Sequence, residues 1–274
     1  MVAPVQGYSP SSAKPAQAVE SWRALGLAIE LRPVTPLTAA QLSLAHDPDY
    51  VREVLACTRV NGFGTQSPEV AASLPYTSGA MFDAACEALR NGRVACAPVS
   101  GFHHAHWGSG GAFCTFNGLM VAAALLKRRQ PHIRVGILDL DEHWGDGTQQ
   151  IIEALGAEGW VEHVSGTQGY GTLTRAAAFL QDLPSLLQQR FARCDLVLYQ
   201  AGADCHVDDP LGGWLTTEQM LRRDELVFAG LAALRVPVAW NLAGGYQTPI
   251  RKVLELHDNT MRACCAQFSA IMHQ

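Results

Sequence analysis

Four short apolar runs, each ended by a cluster of polar residues, constrain the fold of this chain more than any other feature. They are Val94-Ala95-Cys96-Ala97-Pro98-Val99, Ile133-Arg134-Val135-Gly136-Ile137-Leu138, Leu196-Val197-Leu198-Tyr199-Gln200-Ala201 and Val236-Pro237-Val238-Ala239-Trp240-Asn241-Leu242. Short apolar runs bounded by polar residues, the second of them β-branched as well, read as buried strands. Helical spacing fills the intervals: Ala16 to about Leu27, two short pieces from Thr38 to Ala56, Ser78 to about Leu89, about Leu119 to Arg129, and Gly147 to Leu155. Long helical patterns also precede the last two strands. Strands alternating with helices predict an α/β fold of three layers, a mainly parallel central sheet with helices on both faces. Such sheets bind ligands outside the carboxyl ends of their strands. The whole length, residues 1–274, is read as a single domain.

All four runs end in residues able to do chemistry: Ser100-Gly101-Phe102-His103-His104-Ala105-His106, Asp139-Leu140-Asp141-Glu142-His143-Trp144-Gly145-Asp146, Gly202-Ala203-Asp204, and Ala243-Gly244-Gly245-Tyr246. The second is the most informative. Strand alternation puts Asp139 and Asp141 on one face, and His143 joins them if the chain stays extended for one more step. Burying two acids and an imidazole at a strand end costs several kcal/mol unless a cation or hydrogen bonds compensate. Zinc accepts that mixture of oxygen and nitrogen at about 2.0–2.2 Å.

Taken singly, each cluster also has a plain reading. Asp146 is explained by the favourable position of an acid at a helix head. Paired histidines in a loop often satisfy local hydrogen bonds, and Asp204 can open a turn through Asp208-Asp209-Pro210. Tyr246 can be a turn aromatic behind two glycines free to take positive φ. His106, His206, Cys114 and Cys205 read as neighbours of the clusters.

Composition narrows the function classes. A net charge of −5, with no basic run longer than Lys127-Arg128-Arg129, argues against nucleic acid as a partner. The eight cysteines form no CxxC pair and sit largely in apolar runs, as reduced buried thiols do. The first residues lack a basic segment followed by an apolar stretch, and no segment approaches the ~18 apolar residues of a membrane span. A cytoplasmic protein without membrane contact is expected.

Together, Gly101-Phe102-His103-His104-Ala105, Ala112-Phe113-Cys114-Thr115-Phe116-Asn117, Asp139 through Thr148, Gly202-Ala203-Asp204 and Gly244-Gly245-Tyr246 resemble the zinc-dependent histone deacetylase and acetylpolyamine amidohydrolase family. Order and approximate spacing both match, and a weaker likeness extends to Ser9-Pro10 and Lys14-Pro15. The resemblance implies an arginase/deacetylase-like sheet and one Zn²⁺ per chain held by Asp141, His143 and Asp204. It implies tandem histidines, His103 and His104, bonded in turn to Asp139 and Asp146, with His104 as general base and then acid. Tyr246 would hold the carbonyl oxygen opposite zinc. Phe113, with Gly245 and Tyr170, would line the acyl channel. A K⁺ site would draw on Asp139 and Ser165. The substrate would be an acylated amine, either an acyl-lysine peptide or an acylpolyamine.

The chain departs from that pattern in two places. Trp144 stands where many relatives carry a second histidine, beside an additional acid, Glu142. The segment between Ser165 and Asp204 is short, which leaves the second channel wall unassigned apart from Tyr170. Two alternatives remain at this point. An arginase-like ureohydrolase would need ligands for two manganese ions, and a non-catalytic zinc protein would recognise acylated ligands without turning them over.

Overall fold

The computed structural model describes residues 13–27, 29–166 and 172–269. Five strands form one sheet: β1 (Val94–Ala97), β2 (Val135–Asp139), β3 (Val161–Ser165), β4 (Leu196–Gln200) and β5 (Val238–Asn241). Their spatial order is β1-β5-β4-β2-β3, and every neighbouring pair is parallel. The helices are α1 (Lys14–Ala24), α2 (Ala39–Leu42), α3 (Pro48–Leu55), α4 (Pro68–Asn91), α5 (Gly118–Arg129), α6 (Asp146–Leu155), α7 (Ala176–Phe191), α8 (Thr217–Leu234) and α9 (Arg251–Ser269).

Side-chain alternation along the strands builds the three layers. Val135, Ile137, Leu196, Leu198 and Ala239 enter one apolar core with residues from α2 to α6. Their strand neighbours Leu138, Val197, Tyr199, Val238 and Trp240 enter a second core with residues from α1, α7, α8 and α9. Each fully buried aliphatic side chain contributes on the order of 1.5–3 kcal/mol, so both faces must be covered for these strands to pay off in stability. The expected α/β sheet with helices on both faces is what the chain adopts.

Several boundaries differ from the sequence reading. Strand β3 has only Val161 and Val164 as aliphatic residues, because it lies at the sheet edge where Glu162 and His163 remain half-buried. Helix α4 starts ten residues before the expected Ser78, since Ser67 Oγ caps the Val70 N–H at 3.2 Å and Pro68 occupies the first turn, where it needs no hydrogen-bond partner. Helix α9 was not anticipated. All eight cysteines are unpaired. No described helix is long and apolar enough to cross a membrane.

Candidate metal centre

Parallel register levels the strand ends. Asp139 lies opposite both Ser165 and Gln200, Gln200 opposite Asn241, and Asn241 opposite Ala97. The segments that follow β1, β2, β4 and β5 therefore leave one rim together, although more than a hundred residues separate His103 from Asp204 or Tyr246 in two of the pairings.

Three of them meet. Asp141, His143 and Asp204 each offer a ligand atom within 4.8 Å of the others. His143 Nδ1 lies 3.3 Å from Asp141 Oδ1 and 3.3 Å from Asp204 Oδ2. Ligands about 2.0–2.1 Å from a tetrahedral ion stand roughly 3.3–3.4 Å apart, so this spacing suits zinc. Asp204 Oδ2 is buried without a well-formed hydrogen bond, although His143 Nδ1 approaches within 3.3 Å, the mark of an acceptor that lacks its proper partner. A cation would satisfy it. Gly244 makes the cradle possible, because a Cβ there would fall 2.0 Å from Asp204 Oδ2 and 2.7 Å from Asp141 Oδ2.

The chain does not reach this arrangement by staying extended past Asp139, as the sequence reading supposed. β2 ends at Asp139, Asp139 Oδ1 accepts from the Asp141 N–H at 3.2 Å, and Asp141 Oδ1 accepts from the His143 N–H at 3.1 Å. These side-chain-to-backbone bonds curl the segment in two successive steps, the ordinary local chemistry of aspartate in turns. Without a cation the acids and imidazole compensate one another. Burial and the Asp141 charge push Asp204 up to about 7, while the Asp141 and Asp204 carboxylates beside its Nδ1 push His143 up to about 11.

Beside the cluster stand two imidazoles with ring centroids 4.1 Å apart. His103 Nδ1 is 2.7 Å from Asp139 Oδ2, and His104 Nδ1 is 2.7 Å from Asp146 Oδ1. His103 is almost fully buried; its Nε2 lies 3.5 Å from Asp141 Oδ1. Burial opposes its charge, but Asp139 and Asp141 outweigh burial and raise it to about 9. His104 moves the other way, lowered by burial and by the adjacent His103 charge. Asp146 also opens α6, its Oδ1 accepting from the Gly147 N–H at 2.9 Å, so the helix-head and histidine-partner readings hold together. His106 approaches it too, with Nε2 3.5 Å from Oδ2.

Tyr246 follows Gly245, whose φ of 138° turns the chain against Ala203 and Val253. Burial and the negative charges of Asp141 and Asp204 raise the phenol far above its ordinary value, so it stays a hydroxyl donor. Its ring lies 5.8 Å from that of Phe113, which is presented by a loop with positive φ at both Ala112 (44°) and Phe113 (69°). Non-glycine residues held there are strained, and such strain gathers at functional loops. Phe113 also borders a cavity of about 430 Å³ with Gly101 and Phe102, which none of Asp141, His143 and Asp204 lines. Ser165 Oγ accepts from the Gly145 N–H at 3.2 Å, directly across from Asp139. Tyr170 lies outside the described residues.

Three supporting residues escaped the sequence reading as site residues. The buried Lys14 donates Nζ hydrogen bonds to the carbonyls of Ala243 and Gly244, the latter at 3.2 Å. Asp209 accepts from the Tyr246 N–H at 2.8 Å, and Gln200 donates to Asp139 Oδ1 at 3.2 Å. Gln200 left a signal as a polar residue inside an apolar run, and Lys14 lies in the weaker family likeness near the start.

Residues 10–157 match the histone deacetylase domain family, and the chain belongs to that family. It is 32% identical over 250 residues to an uncharacterized protein of Picosynechococcus sp., covering 82% of this chain and 81% of the other. It is 30% identical over 203 residues to an acetylpolyamine amidohydrolase of Burkholderia pseudomallei, covering 62% of this chain and 57% of that relative. A crystal structure of acetylpolyamine aminohydrolase from the same organism superposes with a TM-score of 0.72 at 22% identity, over 94% of this chain and 90% of that one, which shows the shared fold.

Proposed function

We propose that this protein is a zinc-dependent amidohydrolase that removes an acetyl or other acyl group from an amine such as a lysine side chain or a polyamine. The observation that carries this reading is the placement of two carboxylate-backed imidazoles beside the Asp141, His143 and Asp204 cluster. Asp141, His143 and Asp204 would hold the ion, and three protein ligands leave a position open for reactants. Zinc bound there would supply a Lewis acid that polarises the amide carbonyl and lowers the pKa of water toward ~7.

The chain's own groups do the rest. Asp146 takes the Nδ1 proton side of His104, which leaves Nε2 as the basic atom; the depressed basicity of this imidazole keeps it neutral and ready to accept a proton from water. The same imidazole then returns that proton to the departing amine, which leaves only as a neutral molecule. His103, fixed by Asp139, stands beside the reacting atoms as a second hydrogen-bonding imidazole. The Tyr246 hydroxyl donates to the carbonyl oxygen as negative charge gathers on it. The strained loop sets Phe113 against Tyr246, where it would form one wall of the acyl channel. Asp139 and Ser165, paired across β2 and β3, remain the side chains proposed for a K⁺ site.

Among the described residues one group of three ligands is found, which favours a single ion over the pair a ureohydrolase requires. Purified, zinc-loaded protein assayed against acetyl-lysine peptides, acetylated polyamines and longer acyl-lysines tests the reading. Release of free amine from one of these classes supports it, and a fully zinc-loaded protein inert toward all of them would favour a binding protein instead.

A further inference from the structure

Beneath the candidate metal centre lies a buried polar network that the proposed reaction does not use. Arg223 on α8 is 1% exposed. Its Nη1 donates to two backbone carbonyls from different strand ends, Leu140 O at 3.1 Å and Gly202 O at 2.8 Å. Its Nε donates to Asp224 Oδ1 at 2.8 Å. Asp224 is itself clamped, with Oδ1 accepting from the Tyr199 hydroxyl and Oδ2 from Thr260 Oγ1, both at 2.5 Å. Strand β4 and helix α9 thus fix the carboxylate that fixes the guanidinium. Cys205 Sγ adds a second donor to Leu140 O at 3.3 Å.

The two carbonyls matter because of the peptide planes to which they belong. The plane of Leu140 O also carries the Asp141 N–H, which donates to Asp139 Oδ1 at 3.2 Å. The plane of Gly202 O carries the Ala203 N–H, which donates to Gly244 O at 3.0 Å, one residue before Asp204. A peptide plane held at both ends has little freedom left in its neighbouring dihedrals. Asp141 and Asp204 come from separate crossings of the sheet, and nothing covalent fixes their separation. The Leu140 N–H donates to Gln200 O at 3.0 Å and the Glu142 N–H to Asp204 Oδ1 at 3.1 Å, and Arg223 adds a buried side chain that bonds to both segments with one nitrogen. A lysine cannot reproduce that, since its ammonium is a point charge without the planar fork that holds Asp224 at the same time.

We infer that Arg223 is a positioning residue for metal binding: it sets the distance between Asp141 and Asp204 by tying the backbone just before each to a single guanidinium anchored on Asp224. The inference rests on the reading of Asp141 and Asp204 as metal ligands. It assigns Arg223 no contact with substrate.

The test is zinc affinity, measured by chelator competition on the full chain for wild type, Arg223→Lys, Tyr199→Phe and Leu231→Ala. Tyr199→Phe loosens the Asp224 anchor and leaves the arginine in place, so it carries the test if Arg223→Lys fails to fold. Leu231→Ala removes a buried contact on the same helix and controls for general destabilisation. We expect Arg223→Lys to weaken zinc about 10–100-fold, the usual effect of removing an outer partner of a metal ligand. Tyr199→Phe should weaken it by a smaller factor, and Leu231→Ala should lower Tm with zinc affinity unchanged. Wild-type affinity in folded Arg223→Lys, or in Tyr199→Phe where that variant alone folds, would overturn the inference, as would an equal loss in Leu231→Ala. Failure of wild type to bind zinc would instead remove the metal-centre reading itself.

Discussion

His104 and Asp146 meet at 2.7 Å between Nδ1 and Oδ1, the same distance that joins His103 to Asp139, yet the two imidazoles are pushed in opposite directions. The difference follows from position. Burial opposes charge on both, but His103 has three carboxylates, Asp139, Asp141 and Asp204, to offset it, whereas on His104 burial and the adjacent His103 charge together outweigh Asp146. Adjacent titratable groups whose environments push them apart are a common feature of functional sites.

Replacing the base or the phenol should leave the metal in place. His104→Ala is expected to lower turnover of an acyl-lysine reporter about 10²–10⁴-fold. Tyr246→Phe, which loses one oxyanion donor, should lower it about 10²–10³-fold. Both variants should retain wild-type zinc by elemental analysis, because neither side chain is among the cluster of three ligands. Loss of zinc in either would reassign that residue.

Asp204→Ala should behave differently. The substitution removes a ligand, so zinc affinity should fall by more than the ~10–100-fold typical of an outer partner, and dialysed protein should lose the ion. Titration with a chromogenic chelator reads this directly. Unchanged zinc content would take Asp204 out of the ligand set.

Gly244 offers a steric version of the same experiment. A methyl group there would sit 2.0 Å from Asp204 Oδ2 and 2.6 Å from its Cγ, with no flexible chain end to yield. Gly244→Ala should therefore cost about 1–3 kcal/mol of stability, as overpacking does, and weaken zinc binding as well. Calorimetric unfolding and chelator competition measure the two effects, and a variant with wild-type zinc affinity would refute the cradle.

His46 links stability to pH outside the candidate metal centre. It is fully buried, with Nδ1 2.9 Å from His106 O and Nε2 accepting from the Asn117 N–H at 2.8 Å, and burial pushes it down to about 4 from its ordinary 6.5. The fold disfavours the charged form, so its contribution is complete above about pH 6.5 and is lost as pH falls toward 4. Linkage makes that loss about 3 kcal/mol. His257 shifts in the same direction and stays in both proteins, so comparing wild type with His46→Gln isolates the term. Denaturant unfolding should show wild type weakening more steeply than the variant between pH 6.5 and 4; parallel slopes would contradict it.

Much of this site was legible because its residues interrupt apolar runs. Asp139, Asp141, His143, Asp204 and Tyr246 all stand where a buried strand turns polar, and parallel register then brings those ends together. The edge strand β3 was not legible, since one open side lets Glu162 and His163 break the apolar pattern. The turn at Asp141 was missed because side-chain bonds to the backbone overrode strand alternation. Arg223 gave no local sign and Lys14 only a weak family likeness, for each acts on backbone carbonyls far along the chain, at Leu140 and Gly202 or at Ala243 and Gly244.

The most direct measurement is metal stoichiometry together with deacylation on a single preparation. We expect about one zinc per chain and release of free amine from an acyl-lysine peptide or acylpolyamine, both lost in Asp204→Ala and only the second lost in Tyr246→Phe. Two ions per active chain, or one tightly held zinc with no turnover of any acylated amine, would contradict the reading of this site as a deacylase.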